Sequence, residues 1–280
     1  MDVQVVDYRA PDAPRRFVAS LRATGFGVLT HHPIQQELVE RIYREWLEFF
    51  QSEHKHAYAK QGGSQDGYFS MSVSEIAKGG KRRDLKEFFH IYPWGKYPAE
   101  VSPAARQYHA RAGALAAELL GWIEEHSPDD VRAGFAMPLP QMIVDSPTTL
   151  LRVLHYPPLR GDEAPGALRA AAHEDINLLT LLPAASEPGL QVRDSGDRWH
   201  DVPCDFGNLV VNIGDMLQEA SGGYYPSTSH RVQNPAGAAR AQPRLSLPFF
   251  FQPRNEVRLS PRYLAGQYLQ ERLRELGLHK

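Results

Sequence analysis

The sequence predicts a mainly β protein with flanking helices, its core a sandwich or jelly-roll barrel in the second half of the chain. Three observations lead there. Apolar residues recur at helical steps before residue 148, and from Thr148 the period becomes that of strands. The strand-like segments then follow one another with Gly, Pro, Asp and Asn between them and no intervening helix, which argues against a parallel α/β sheet. A last helical pattern closes the chain. At 280 residues the chain accommodates one large domain or two small ones. The expected segments are a helical region 1–147 packed on the barrel, the barrel core 148–255, and a C-terminal helix within 256–280.

The elements follow in order. Pro14 suits a first helical turn, where its missing N–H costs nothing; Phe17, Val18 and Leu21 give one apolar side, and Gly25 and Gly27 supply a stop. A strand at 28–30 comes next. Leu38, Val39, Ile42, Tyr43, Trp46, Phe49 and Phe50 recur at three- and four-residue steps, so 35–52 is a helix whose aromatics belong to the core. The Gly, Ser and Lys content of 61–80 reads as a long loop, and long loops inside domains are often functional. Leu115, Leu119 and Ile123 place a third helix at 104–125. Strands are expected at 150–156, 178–182, 190–193, 209–213 and 245–251, and a terminal helix at 262–276.

Composition narrows the function. With 31 Lys and Arg against 33 Asp and Glu the net charge is −2, and the chain lacks the cationic footprint of a nucleic-acid or anionic-membrane partner. The basic run Lys81-Arg82-Arg83 is broken by Asp84 and Glu87 and reads as a solvated loop. Cys204 is the single cysteine, which excludes an internal disulfide, a cysteine zinc site and an iron–sulfur cluster. The N-terminus has no basic or apolar targeting pattern, and the apolar runs are shorter than a membrane helix requires. A cytoplasmic monomer acting on a small-molecule substrate is expected.

Of the 12 histidines, His173 stands in the triplet His173-Glu174-Asp175. Chance alone supplies such a triplet in a chain of this composition, so its context carries the argument. It is expected at the start of a strand, where residues two apart project to one side and can share a metal. A third ligand must come from elsewhere, and His230 follows the turn-rich Ser221-Gly222-Gly223 near the end of the barrel region. Two imidazoles and one carboxylate on one face of a metal are the ligand set of non-haem Fe(II) oxygenases, because three positions stay open. Downstream, Arg244-Leu245-Ser246 puts a guanidinium and a hydroxyl on one strand face, a pair suited to the carboxylate of a small diacid. Taken alone, the Arg is as well explained by a salt bridge to a protein acid.

The ordered motifs His173-Glu174-Asp175-Ile176-Asn177-Leu178-Leu179-Thr180, Gly189-Leu190-Gln191-Val192, Val211-Asn212-Ile213-Gly214-Asp215, Ser229-His230-Arg231-Val232 and Arg244-Leu245-Ser246-Leu247-Pro248-Phe249 closely resemble the core of the isopenicillin N synthase-like family of Fe(II)/2-oxoglutarate-dependent oxygenases. The turn Thr24-Gly25-Phe26-Gly27-Val28 is similar to that family's N-terminal region, so the resemblance spans nearly the whole chain. It implies a double-stranded β-helix (jelly-roll) core, Fe(II) bound by His173, Asp175 and His230, and the distal carboxylate of 2-oxoglutarate held by Arg244, Ser246 and Tyr156. O₂ and 2-oxoglutarate would be consumed, succinate and CO₂ released, and a small metabolite hydroxylated, desaturated or cyclised. The family often has Asn two residues before the Tyr; here Leu154 stands there and removes a polar contact. The loop from Asn234 to Arg240 is a little longer than in many members.

Candidate substrate contacts are Phe250, on the strand face of Arg244 and Ser246, and Asn177, on the face of Asp175; core filling and turn bracing explain them almost as well. The loop 68–83 and the terminal helix around Tyr263 and Tyr268 are candidate lids. His155 and His200 read as satisfied polar groups. Two other readings share the ligand set: an Fe(II) oxidase that does not use 2-oxoglutarate, and a non-catalytic ligand-binding barrel. A zinc hydrolase leaves Arg244 and Ser246 without a role.

Overall fold

The apolar stripes of the first half fold into helices laid on a sheet to which both halves contribute. The computed structural model describes residues 1–74, 83–163, 167–184, 189–203 and 205–275. In chain order the elements are β1 (Val5–Asp7), α1 (Ala13–Thr24), β2 (Phe26–Thr30), α2 (Gln36–Gln51), β3 (Gly67–Phe69), β4 (Glu87–Ile91) and α3 (Ala104–Glu125). Two short helices, α4 (Asp129–Ala133) and α5 (Leu139–Met142), lead to β5 (Leu150–Tyr156), β6 (Ala170–His173), β7 (Leu179–Pro183), β8 (Leu190–Arg193), β9 (Trp199–Asp201) and β10 (Leu209–Ile213). The chain continues with α6 (Asp215–Ala220), β11 (His230–Val232), β12 (Arg244–Ser246), β13 (Phe249–Phe251) and α7 (Ala265–Glu275).

The strands form a nine-stranded sheet in the order β1-β2-β10-β7-β13-β5-β4-β3, with β12 also on β5, and a four-stranded sheet in the order β6-β11-β8-β9. One face of the large sheet carries Leu151, Val153, Leu179, Leu181, Leu209, Val211, Phe249 and Phe251 into a core shared with α1, α2 and α3. Trp46 of α2 is fully buried there, edge-on to Phe49 at 5.3 Å and Phe89 at 5.2 Å. The opposite face looks into the barrel, where Phe26, Val28 and Val210 meet Ala170, Leu190, Val192 and Val232 of the small sheet. This two-residue alternation separates a helix-covered side from an interior, and the interior holds the chemistry.

Gly25 caps α1 at φ 75°, its N–H bonding to Leu21 O at 2.8 Å. Gly27, expected to help stop the helix, lies inside β2; a Cβ there would sit 2.7 Å from the Phe17 ring, so its smallness lets α1 pack on the strand. The strand expected at 245–251 is divided, because Pro248 has no N–H to give the ladder. Its carbonyl still accepts from Arg152 N at 3.0 Å, and β12 and β13 pair with β5 in one continuous register.

Several strands were not legible in sequence. β6 reads Ala-Ala-Ala-His and becomes a strand through pairing with β11. β3 falls within the expected loop. Glu87 of β4, on the helix side, gathers Lys55 Nζ at 3.1 Å, His155 Nδ1 at 2.7 Å and the Tyr68 hydroxyl. These bonds bring neutralising partners to a buried carboxylate; the sequence gives no hint of them. Residues 75–82 of the loop, Cys204, Leu276 and His279 lie outside the described residues. No helix of the described residues is long and apolar enough to cross a membrane.

Candidate active site

His173 ends β6 and His230 begins β11, and these antiparallel strands put the two residues directly opposite each other. Their ring centroids are 4.3 Å apart. Asp175 lies just past β6, and its Oδ1 is 3.8 Å from the Nε2 of each ring. Among the described residues these three are the cluster whose donor atoms all lie within 4.8 Å of one another. Each imidazole is oriented through its other nitrogen: His173 Nδ1 donates to Ala171 O at 2.8 Å and His230 Nδ1 to Thr228 O at 3.1 Å. With Nδ1 so engaged, each ring turns its Nε2 towards Asp175. Phe26 stands edge-on to His230 at 5.4 Å.

The carboxylate is held just as firmly. Asp175 Oδ2 accepts from Thr180 Oγ1 of β7 at 2.6 Å and from Asn212 Nδ2 of β10 at 2.9 Å, while Oδ1 faces the imidazoles. Burial alone would push the Asp175 carboxyl up, but the His230 and His173 rings and the Asn212 and Thr180 bonds hold it below the usual carboxylate range. Loss of solvation, with the nearby His230, brings the His173 pKa down to about 4; Lys86 adds to this. The His173 side chain as a whole is 40% exposed. A metal arriving at neutral pH thus meets a deprotonated His173. Two nitrogens and one oxygen, oriented from behind and open on one side, fit Fe(II) with sites to spare.

Across the interior, Arg244 of β12 pairs with Tyr156 of β5, and Ser246 with Leu154. Arg244, Tyr156 and Ser246 are all buried, and Arg244 Cζ is 5.3 Å from the Tyr156 ring centroid. A second guanidinium, that of Arg169, lies 5.9 Å from the same ring. Phe250 of β13 pairs with Thr180, the residue that braces Asp175, so it adjoins the cluster on the interior face. Arg152 is held between Phe250 at 5.3 Å and Phe88 at 4.7 Å, its Nε 2.8 Å from His90 Nε2.

Asn177, a candidate substrate contact by its spacing from Asp175, is fully buried instead. Its amide donates to Thr180 Oγ1 at 2.8 Å and Leu179 O at 3.3 Å, so it braces the turn behind the cluster. Gly214 makes room for that turn, since a Cβ there would fall 2.0 Å from Asn177 Oδ1. His155 is bonded through Nδ1 to Glu87, but its Nε2 has no hydrogen-bond partner among the described residues. His200 bonds Asp194 at 2.7 Å. Sequence reasoning missed Thr180, Asn212, Lys86, His90 and Arg152. Strand alternation could have flagged Thr180 and Arg152, which share interior faces with Leu182 and Tyr156.

The bracing of Asp175 gives a direct expectation. Thr180→Val keeps the shape of the side chain but removes the bond to Oδ2 and the acceptor of the Asn177 amide, so Fe(II) affinity falls by about 10- to 100-fold and the melting temperature falls with it. Isothermal titration with Fe(II) under argon measures it.

The comparisons with known proteins agree with this geometry. Residues 147–253 match the 2OG-Fe(II) oxygenase superfamily, and residues 3–111 match the family described as non-haem dioxygenase in morphine synthesis N-terminal. A crystal structure described as that of an oxygenase from Shewanella oneidensis is 56% identical, with a TM-score of 0.91 over 100% of both chains. A structure from Caulobacter crescentus, described as a 2OG-Fe(II) oxygenase family protein, is 30% identical, with a TM-score of 0.81 over 98% of this chain and 99% of that one. Among curated proteins, proline hydroxylase buaE of Petromyces alliaceus is 28% identical over 92% of this chain and 89% of its own. With the His-Asp-His cluster facing an interior that also carries Arg244 and Ser246, the chain belongs to the 2OG-Fe(II) oxygenase superfamily and is a 2-oxoglutarate-dependent dioxygenase that uses Fe(II).

Proposed function

We propose that this enzyme hydroxylates a small metabolite as a cytoplasmic monomer, with His173, Asp175 and His230 holding Fe(II) and Arg244, Ser246 and Tyr156 holding the distal carboxylate of 2-oxoglutarate. The observation that carries this reading is that both groups of residues open onto one barrel interior, joined through the β7-β13-β5 run of strands. Iron and 2-oxoglutarate together supply the oxidising chemistry with O₂, releasing succinate and CO₂. The chain does the rest. Thr180 and Asn212 orient the Asp175 carboxylate, Ala171 and Thr228 carbonyls orient the imidazoles, and the apolar wall excludes water.

Phe250 and Arg152 are both half-buried where the rest of the wall is buried, so they form the part a substrate reaches. A flat molecule with a carbonyl or carboxylate suits an aromatic face beside a guanidinium. That the relatives include a proline hydroxylase and flavonol synthase/flavanone 3-hydroxylases supports hydroxylation of a small molecule.

The test needs no substrate. Fe(II) with 2-oxoglutarate under argon gives a visible metal-to-ligand charge-transfer band in the wild type and none in His173→Ala. A wild type without the band at saturating 2-oxoglutarate overturns the proposed co-substrate site and favours an oxidase that works without it.

A further inference from the structure

The wall between the His-Asp-His cluster and Arg244 carries another cation outside the sequence motifs. Lys86 precedes β4 by one residue. Glu87 pairs with His155 of β5, so one more step of the same antiparallel register brings Lys86 opposite Tyr156, itself opposite Arg244. Glu87 turns to the helix side, towards Lys55 and His155, and alternation puts Lys86 with Phe88 on the interior side. Lys86 is 4% exposed. Its Nζ lies 2.8 Å from Asp84 Oδ2, and Asp84 Oδ1 accepts from Ala171 N at 3.0 Å, two residues before His173. The ammonium therefore stands where the large sheet meets β6.

As a fastener alone this pair is an expensive choice. Removing both charges from water costs more than their attraction reliably returns, and such pairs can often be replaced by apolar residues. The bond to Ala171 N requires only an oxygen at position 84. An ammonium on the interior wall gains a purpose if an anion enters beside it, and its three donors can serve Asp84 and a ligand oxygen together. Leu154, next to Tyr156 on the same wall, offers no hydrogen bond, so a polar contact from this side has to come from another strand.

We propose that Lys86 is a second binding residue for 2-oxoglutarate, donating to a carboxylate of the co-substrate from the β4 side of the wall while Arg244 and Ser246 hold it from β12. This rests on the co-substrate site proposed above. Asp84 offsets the Lys86 charge before the co-substrate enters, and the dianion then draws on a donor already in position.

The experiment follows the charge-transfer band during anaerobic titration of the Fe(II)-loaded protein with 2-oxoglutarate, alongside Fe(II) affinity and thermal melting. Lys86→Met weakens 2-oxoglutarate binding by about tenfold or more and leaves Fe(II) affinity unchanged. Lys86→Arg recovers most of the loss. Lys86→Gln, which can still bond Asp84, behaves as the Met variant does and replaces it if that variant fails to fold. Asp84→Asn keeps an acceptor for Ala171 N and binds 2-oxoglutarate at least as tightly as the wild type. Equal losses in Lys86→Gln and Asp84→Asn would show a fastener only and overturn the proposal, as would unchanged affinity without the ammonium. A wild type with no band overturns the co-substrate site itself, and the Lys86 assignment with it; a normal wild-type band with unaffected Lys86 variants overturns the Lys86 assignment alone.

Discussion

Asp175→Ala abolishes Fe(II) binding in the micromolar range and, with it, all 2-oxoglutarate-dependent succinate formation. The reason lies in the asymmetry of the cluster. His173 and His230 are both neutral ligands, and His173 gives up its proton readily because lost solvation and the nearby His230 lower its pKa. Asp175 is the one anion of the set, and it is kept charged by its surroundings despite burial. Removing it leaves a dication facing two imidazoles in a poorly solvated interior, with no charge compensation. Outer bracing residues of such sites typically account for about 10- to 100-fold in metal affinity, so loss of the anionic ligand exceeds about 100-fold. Anaerobic Fe(II) titration and a succinate assay measure the two effects. Asp175→Asn separates charge from shape, since its amide can still be positioned by Thr180. Succinate formation at the wild-type rate in either variant would rule out the metal assignment.

Arg244→Met produces the second large effect, confined to the co-substrate. Arg244 is 3% exposed, so a carboxylate brought against it has little water to fall back on once the guanidinium is gone. Breaking one side of a buried charge pair costs about 3–5 kcal/mol, which corresponds to at least about 100-fold weaker 2-oxoglutarate binding. KM for 2-oxoglutarate rises accordingly, while Fe(II) affinity stays at the wild-type value because no bond to the cluster is lost. Arg244→Lys recovers part of the loss only, since an ammonium cannot reproduce the two-pronged fork of donors. Steady-state succinate formation over a wide range of 2-oxoglutarate concentrations gives the comparison. An unchanged KM in Arg244→Met would mean that the Arg serves a protein acid.

Much of this arrangement can be read along the chain because it is local. The stripe from Leu38 to Phe50 needs only a helix to become one buried face, and α2 buries it as Gln36–Gln51. Helix α3 covers the expected residues for the same reason. Arg244 and Ser246 are two residues apart within β12, and an extended backbone brings such a pair to one side whatever surrounds it; His173 and Asp175 have the same spacing, but β6 ends at His173 rather than starting there as expected, and Asp175 lies beyond it. The strand expected unbroken over 245–251 is divided at Pro248, which has no N–H for the ladder. Asn177 shows the limit of this reasoning. Its spacing from Asp175 suggests a shared face, but the chain turns immediately after the metal cluster, and the amide is spent on Thr180 and Leu179.

What the sequence by itself determined is therefore the chemistry on offer: nitrogen and oxygen ligands rather than thiolates, an Arg and a Ser suited to a carboxylate, and the helical and extended stretches that carry them. Only the tertiary structure decided which of these meet. The opposition of His173 and His230 depends on the β6-β11 register, the grip of Thr180 and Asn212 on Asp175 depends on β7 and β10 lying side by side, and the place of Lys86 beside Tyr156 depends on how β4 enters the sheet. Backbone geometry fixes neighbours two to four residues apart. Pairing between distant strands is settled by which interleaving of faces buries the most apolar surface while leaving most buried polar groups bonded, and that is a property of the whole chain.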